Sequence, residues 1–117
     1  IARAEREARE RELADRLLAE ERAMAVAAIR QKVERSWRRP PGTAARELSC
    51  VIEVRLGASG TVLRATVITS SGDAAFDRSV ENAVYKAEPL PMPRSAGLRD
   101  DFRTITFRFS PSTDGAR

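Results

Sequence analysis

Few residues in this sequence could carry covalent or acid/base chemistry. The 117-residue chain has no histidine and one cysteine, Cys50. Those counts exclude a histidine general base, a Cys/His zinc cage and an internal disulfide. In Ser70-Ser71-Gly72-Asp73 no base is available to activate a hydroxyl, whereas a turn followed by an Asp73 N-cap accounts for every residue. Cys50 reads as a small buried hydrophobe. Asp100 and Asp101 fall in a predicted loop and read as solubilising charge. Arg30, Lys32, Arg35, Arg38 and Arg39 form a basic junction that could face phosphate, anionic lipid or an acidic partner. Only one aromatic residue, Trp37, lies near them and no nucleic-acid-binding motif accompanies them, so a solvated face is the simpler reading. No catalytic residue, cofactor or metal site is implied.

What remains able to act is backbone. A strand is predicted over Phe102, Arg103, Thr104, Ile105, Thr106, Phe107, Arg108 and Phe109, with Arg103, Ile105, Phe107 and Phe109 facing one way and Phe102, Thr104, Thr106 and Arg108 the other. Its position in the predicted sheet makes it an edge, and an edge presents a row of unpaired donors and acceptors to which another chain can add a strand. Only Arg103 and Arg108 protect it with charge.

The elements that place this edge follow from periodicity. Leu48, Cys50, Ile52, Val54 and Leu56 alternate with Ser49, Val51, Glu53 and Arg55, predicting a half-buried strand. Gly57-Ala58-Ser59-Gly60 supplies a turn into a second strand over residues 61–69, with a bulge expected near residues 63–65 because Val62 and Val67 have opposite parity. Asp73 then caps a helix over residues 74–87, with Asp77 in its first turn and Phe76, Val80, Ala83, Val84 and Ala87 forming one apolar stripe. Pro89-Leu90-Pro91-Met92-Pro93 forbids continuation and makes an extended connection to the third strand. A helix that carries the chain back along the sheet makes strand three parallel to strand two and antiparallel to strand one, in the order 2-1-3. The fold class is α+β: a three-stranded antiparallel sheet packed by helices on one face, in the order helix, strand, strand, helix, strand.

The first helix is long and charged. Residues 1–22 hold six Arg and seven Asp or Glu, and no Gly or Pro occurs before Pro40. Glu5 with Arg9, Glu7 with Arg11 and Glu12 with Arg16 are spaced for i, i+4 pairing. Apolar periodicity begins later, with Val26, Ile29, Val33 and Trp37 on one face, so residues 23 onward should pack on the body while the arm before them has almost nothing to bury. Two arrangements fit: an unbroken helix that projects, or a helix pair broken near residues 18–23 and folded back. Trp37 should anchor the helix end, and Pro40-Pro41 turns the chain. The domain organisation is then an arm over 1–22, a compact domain over 23–110 and a flexible tail over 111–117. No run of about 18 apolar residues is present. The opening Ile1 suggests an excised fragment, compatible with an anchor or leader upstream.

Trp37-Arg38-Arg39-Pro40-Pro41, Gly60-Thr61-Val62, Ser70-Ser71-Gly72-Asp73 with Phe76-Asp77 and Ala83-Val84, and Pro89-Leu90-Pro91-Met92-Pro93 together resemble the C-terminal domain of the TolA family, within the TonB/TolA C-terminal superfamily, over about residues 24–110. The Ala/Arg/Glu-rich arm resembles the end of a TolA helical stalk, whereas TonB linkers are typically Pro-rich. The resemblance implies a periplasmic interaction module of an inner-membrane-anchored protein, with inner-membrane partners through that anchor. It further implies a TolB-like partner, strand addition at the sheet edge, a role in outer-membrane integrity and cell division through the Tol-Pal system, and exploitation by phage coat proteins and colicins. Members with a domain disulfide need a second cysteine, which this chain lacks. Two alternatives stand beside it: a TonB-like energy transducer for outer-membrane receptors, and a small basic nucleic-acid-binding domain. Salt separates the latter, because phosphate binding weakens steeply with ionic strength.

Overall fold

In the computed structural model, which describes residues 1–43 and 47–110, the chain forms six elements. They are α1 (Ala2–Ser36), β1 (Cys50–Leu56), β2 (Val62–Thr69), α2 (Ala74–Lys86), α3 (Ala96–Asp101) and β3 (Thr104–Phe109). The sheet is antiparallel in the order β2-β1-β3, as the connections require. One face carries the core. Cys50, Ile52, Val54 and Leu56 of β1 and Ile105, Phe107 and Phe109 of β3 are buried against Phe76, Val80, Ala83 and Val84 of α2 and Ile29 and Val33 of α1. The opposite face, with Arg55, Arg64, Thr104, Thr106 and Arg108, is exposed.

α1 is one unbroken helix of 35 residues, so the folded-back arrangement is not adopted. Its length is about 52 Å at 1.5 Å per residue, in a molecule measuring 63 × 28 × 23 Å. Residues 1–20 are all exposed and burial begins at Glu21. The three i, i+4 pairs of the arm do not close, whereas Arg22 pairs with Asp101 at 2.9 Å. Exposed pairs of this kind gain little in water, so holding two long side chains together is not favoured. At the other end Trp37 anchors the helix as predicted. Its ring meets Phe76 and Phe109 edge-on at centroid distances of 5.8 and 5.5 Å, and its Nε1 donates to Ser79 Oγ at 2.8 Å.

Several boundaries differ from the sequence expectation. β1 starts at Cys50 rather than Leu48, and β3 starts at Thr104 rather than Phe102. A short helix, α3, interrupts the connection expected to be extended, and Asp100 and Asp101 end that helix instead of lying in a loop. Its start is set from outside: the Glu21 carboxylate accepts from Ser95 Oγ at 2.7 Å and from the Ser95 N–H at 3.2 Å. Phe102 closes α3 and is fully buried, so it leaves the strand alternation and joins the core. The hairpin has two register shifts. Leu63 is skipped between the pairs Arg55–Arg64 and Leu56–Val62, where a bulge is predicted, and Ile68 is skipped between Val51–Thr69 and Ile52–Val67. The predicted tail over 111–117 lies outside the described residues.

Candidate partner-binding edge

β3 and β2 are the two edges of the sheet, and their backbones are differently placed. Just before β3 the Arg103 carbonyl accepts from the Leu56 N–H at 2.8 Å. Antiparallel pairs alternate between bonded and non-bonded, so this bond, with the register Arg55–Thr104, Val54–Ile105 and Ile52–Phe107, fixes the phase. Ile105, Phe107 and Phe109 turn their N–H and C=O groups toward β1. Thr104, Thr106 and Arg108 turn theirs away from the sheet, with side chains on the exposed face. Of the eight residues predicted for this edge, these three are the ones whose backbone groups turn outward. Ile105, Phe107 and Phe109 hold the strand on the core, and Phe102 and Arg103 precede it. Among the described residues nothing covers the outward row; the Arg108 guanidinium reaches along the sheet to Ser49 Oγ at 3.3 Å.

β2 is closed. The same phase turns the N–H groups of Val62, Ala65 and Val67 outward, and each already donates to a side chain: Val62 to Glu88 Oε1 at 3.2 Å, Ala65 to Tyr85 Oη at 3.1 Å and Val67 to Glu81 Oε2 at 3.0 Å. Glu81 and Tyr85 project from α2 and Glu88 from just beyond its end. Sequence reasoning missed this. The i, i+4, i+7 spacing of the three acceptors was a usable signal only with α2 already laid along the strand.

The residues singled out for chemistry have structural roles. The Asp73 side chain accepts from the Phe76 N–H at 2.9 Å as an N-cap. Partial burial pushes the Asp77 carboxyl up, but hydrogen bonds from Ser70 Oγ, the Ser71 N–H and Ser71 Oγ outweigh it and hold the group below the usual carboxylate range. Cys50 is 2% exposed; burial pushes its thiol up to about 12, with the Asp77 and Glu81 carboxylates adding to the rise. Of the basic junction only Arg38 and Arg39 come together, lining one groove with Arg78. Lys32 donates to the Pro89 carbonyl, Arg39 lies over the Trp37 ring at 5.0 Å, and Arg30, Arg35 and Arg38 are exposed. A groove of about 410 Å³ lies where α1 passes the proline-rich segment, lined by Leu17, Met24, Ala28 and Met92 among others. No helix among the described residues is long and apolar enough to cross a membrane.

No curated protein matches the chain. Among solved structures it is similar to TolAIII bound to a peptide derived from the N-terminus of TolB, at 32% identity over 73% of this chain and 70% of that one, with a TM-score of 0.60. The C-terminal domain of Helicobacter pylori TonB has the same fold, with a TM-score of 0.56 over 74% of this chain and 90% of that one, at 16% identity. The family described as TonB C terminal matches residues 26–109, a span that runs from the first core-facing turns of α1 through the last residue of β3. The chain belongs to that family, within the TonB/TolA C-terminal superfamily.

Proposed function

We propose that this domain captures an extended segment of a TolB-type periplasmic partner by adding it as a strand to β3, and that α1 carries the resulting tension toward an inner-membrane anchor. Domains of this family are protein-interaction modules and not enzymes. The observation that carries the reading is the contrast between the edges: Thr104, Thr106 and Arg108 turn out backbone groups that nothing among the described residues takes, while the outward N–H groups of β2 are taken. Backbone pairing then supplies affinity and the side chains beside it supply selectivity. The TolAIII relative bound to a TolB N-terminal peptide supports this choice of partner. On this reading residues 23–110 are the binding module, residues 1–22 the end of a helical stalk, and the role is the upkeep of outer-membrane integrity, open to use by phage coat proteins and colicins. The family match equally admits a TonB-like transducer, but an arm with six Arg, seven Asp or Glu and no Pro favours the TolA type.

Calorimetric titration with a peptide from the N-terminus of TolB of the same organism tests this. Saturable one-to-one binding that changes little with salt supports it. No binding at millimolar peptide, together with nucleic-acid binding that falls about 10³-fold or more between 50 and 200 mM salt, would replace it with the phosphate-binding alternative.

A further inference from the structure

We infer that Glu81, Tyr85 and Glu88 form a guard that closes the β2 edge to strand addition, so that a partner strand is accepted at β3 alone. The inference rests on the strand-capture reading and names what gives it a single address. An edge strand normally offers its outward N–H groups to any extended chain. On β2 the N–H groups of Val62, Ala65 and Val67 each donate to one of the three side chains, along six residues of strand and eight of helix and loop. An incoming strand would have to displace all three acceptors, and until it did so its own carbonyls would face carboxylate and phenol oxygens rather than donors. The edge also needs protection: Leu63 and Ile68, at its two register shifts, are 65% and 55% exposed, and apolar side chains beside open backbone groups invite self-association. No comparable side chain stands over Thr104, Thr106 and Arg108 among the described residues.

The test compares the full chain with E81A/Y85F/E88A by amide hydrogen exchange, sedimentation and amide-shift mapping with the TolB N-terminal peptide. In the parent protein the amides of Val62, Ala65 and Val67 should exchange slowly for an edge strand. In the variant at low concentration they should exchange at least tenfold faster, and a strand should now be accepted at residues 62–69, seen either as concentration-dependent self-association or as new peptide-induced shifts there. E81Q/E88Q, whose side-chain carbonyls accept the same bonds, should behave as the parent. Rapid exchange of the three amides in the parent, or a variant that stays monomeric with no new shifts on 62–69, overturns the guard. Should the peptide bind neither protein, the strand-capture reading fails at β3, while exchange and self-association still decide the guard. Y85F alone keeps the test open if the triple variant does not fold: it should accelerate exchange at Ala65 at least tenfold and leave Val62 and Val67 unchanged.

Discussion

Replacing Thr106 by proline separates the backbone of β3 as a binding surface from its role in the fold. The Thr106 N–H points away from β1, so T106P removes no ladder bond inside the domain, and proline is tolerated on an edge strand when its missing N–H faces solvent. Ile105 before it already has extended backbone, the conformation a residue preceding proline prefers. The cost to folding should be about 1 kcal/mol, the strain of fixing φ near −65°. Binding should suffer more. An added strand loses one bond worth about 0.5–1.5 kcal/mol and keeps a carbonyl without a partner at about 1–3 kcal/mol. Together these weaken capture by about 1.5–4.5 kcal/mol, at least roughly tenfold in Kd. I105P, one residue earlier, is the contrast: it deletes an internal ladder bond and a side chain only 6% exposed, and should cost more than about 4 kcal/mol of stability. T106A keeps the N–H and should change either quantity by less than about 0.5 kcal/mol. Urea unfolding and calorimetric titration of the TolB-derived peptide read both quantities. T106P binding the peptide as tightly as T106A, or unfolding as readily as I105P, would refute the assignment of the outward row.

Three further outcomes follow from the packing. Gly60 has φ +92° and a Cβ built there would lie 2.1 Å from the Leu90 carbonyl oxygen, so G60A should cost about 3 kcal/mol from strain and displaced backbone, read as a lower urea midpoint; an unchanged midpoint would contradict the close approach. The Cys50 thiol, raised to about 12, should be alkylated at pH 8 at least about 100-fold more slowly in the folded protein than in urea, and equal rates would show that the strand opens. Asp77, held below the usual range, contributes stability in full above the unfolded carboxyl value of about 4. That contribution is lost as pH falls through the folded value. D77N should therefore be less stable than the parent at pH 7 and show a shallower loss of stability on acidification; parallel pH profiles would remove the linkage.

What could be read from the sequence was local. The apolar stripe of Val26, Ile29 and Val33, the alternation from Cys50 to Leu56 and the Asp73 cap each depend on neighbours a few residues away, and all three stand in the structure. The departures come from contacts between distant residues. α3 starts where Glu21, 74 residues away, satisfies Ser95. Phe102 leaves the strand alternation because a helix cap, and not β3, positions it. The closure of β2 is of the same kind: Glu81, Tyr85 and Glu88 look like the solvated face of α2 until the helix lies along the strand. The candidate edge was legible in outline, since exposed Thr104, Thr106 and Arg108 alternate with buried Ile105, Phe107 and Phe109. Which backbone groups point outward needed the register.

The central claim, that a partner strand pairs with β3, is tested most directly by amide hydrogen exchange of the isotopically labelled chain with and without saturating TolB N-terminal peptide. Strand addition predicts that the amides of Thr104, Thr106 and Arg108 exchange rapidly in the free protein and become strongly protected in the complex, with those of Val62, Ala65 and Val67 unaltered. Peptide binding that leaves the three β3 amides unprotected, or that protects residues beside the groove of Leu17, Met24 and Met92 instead, would contradict it.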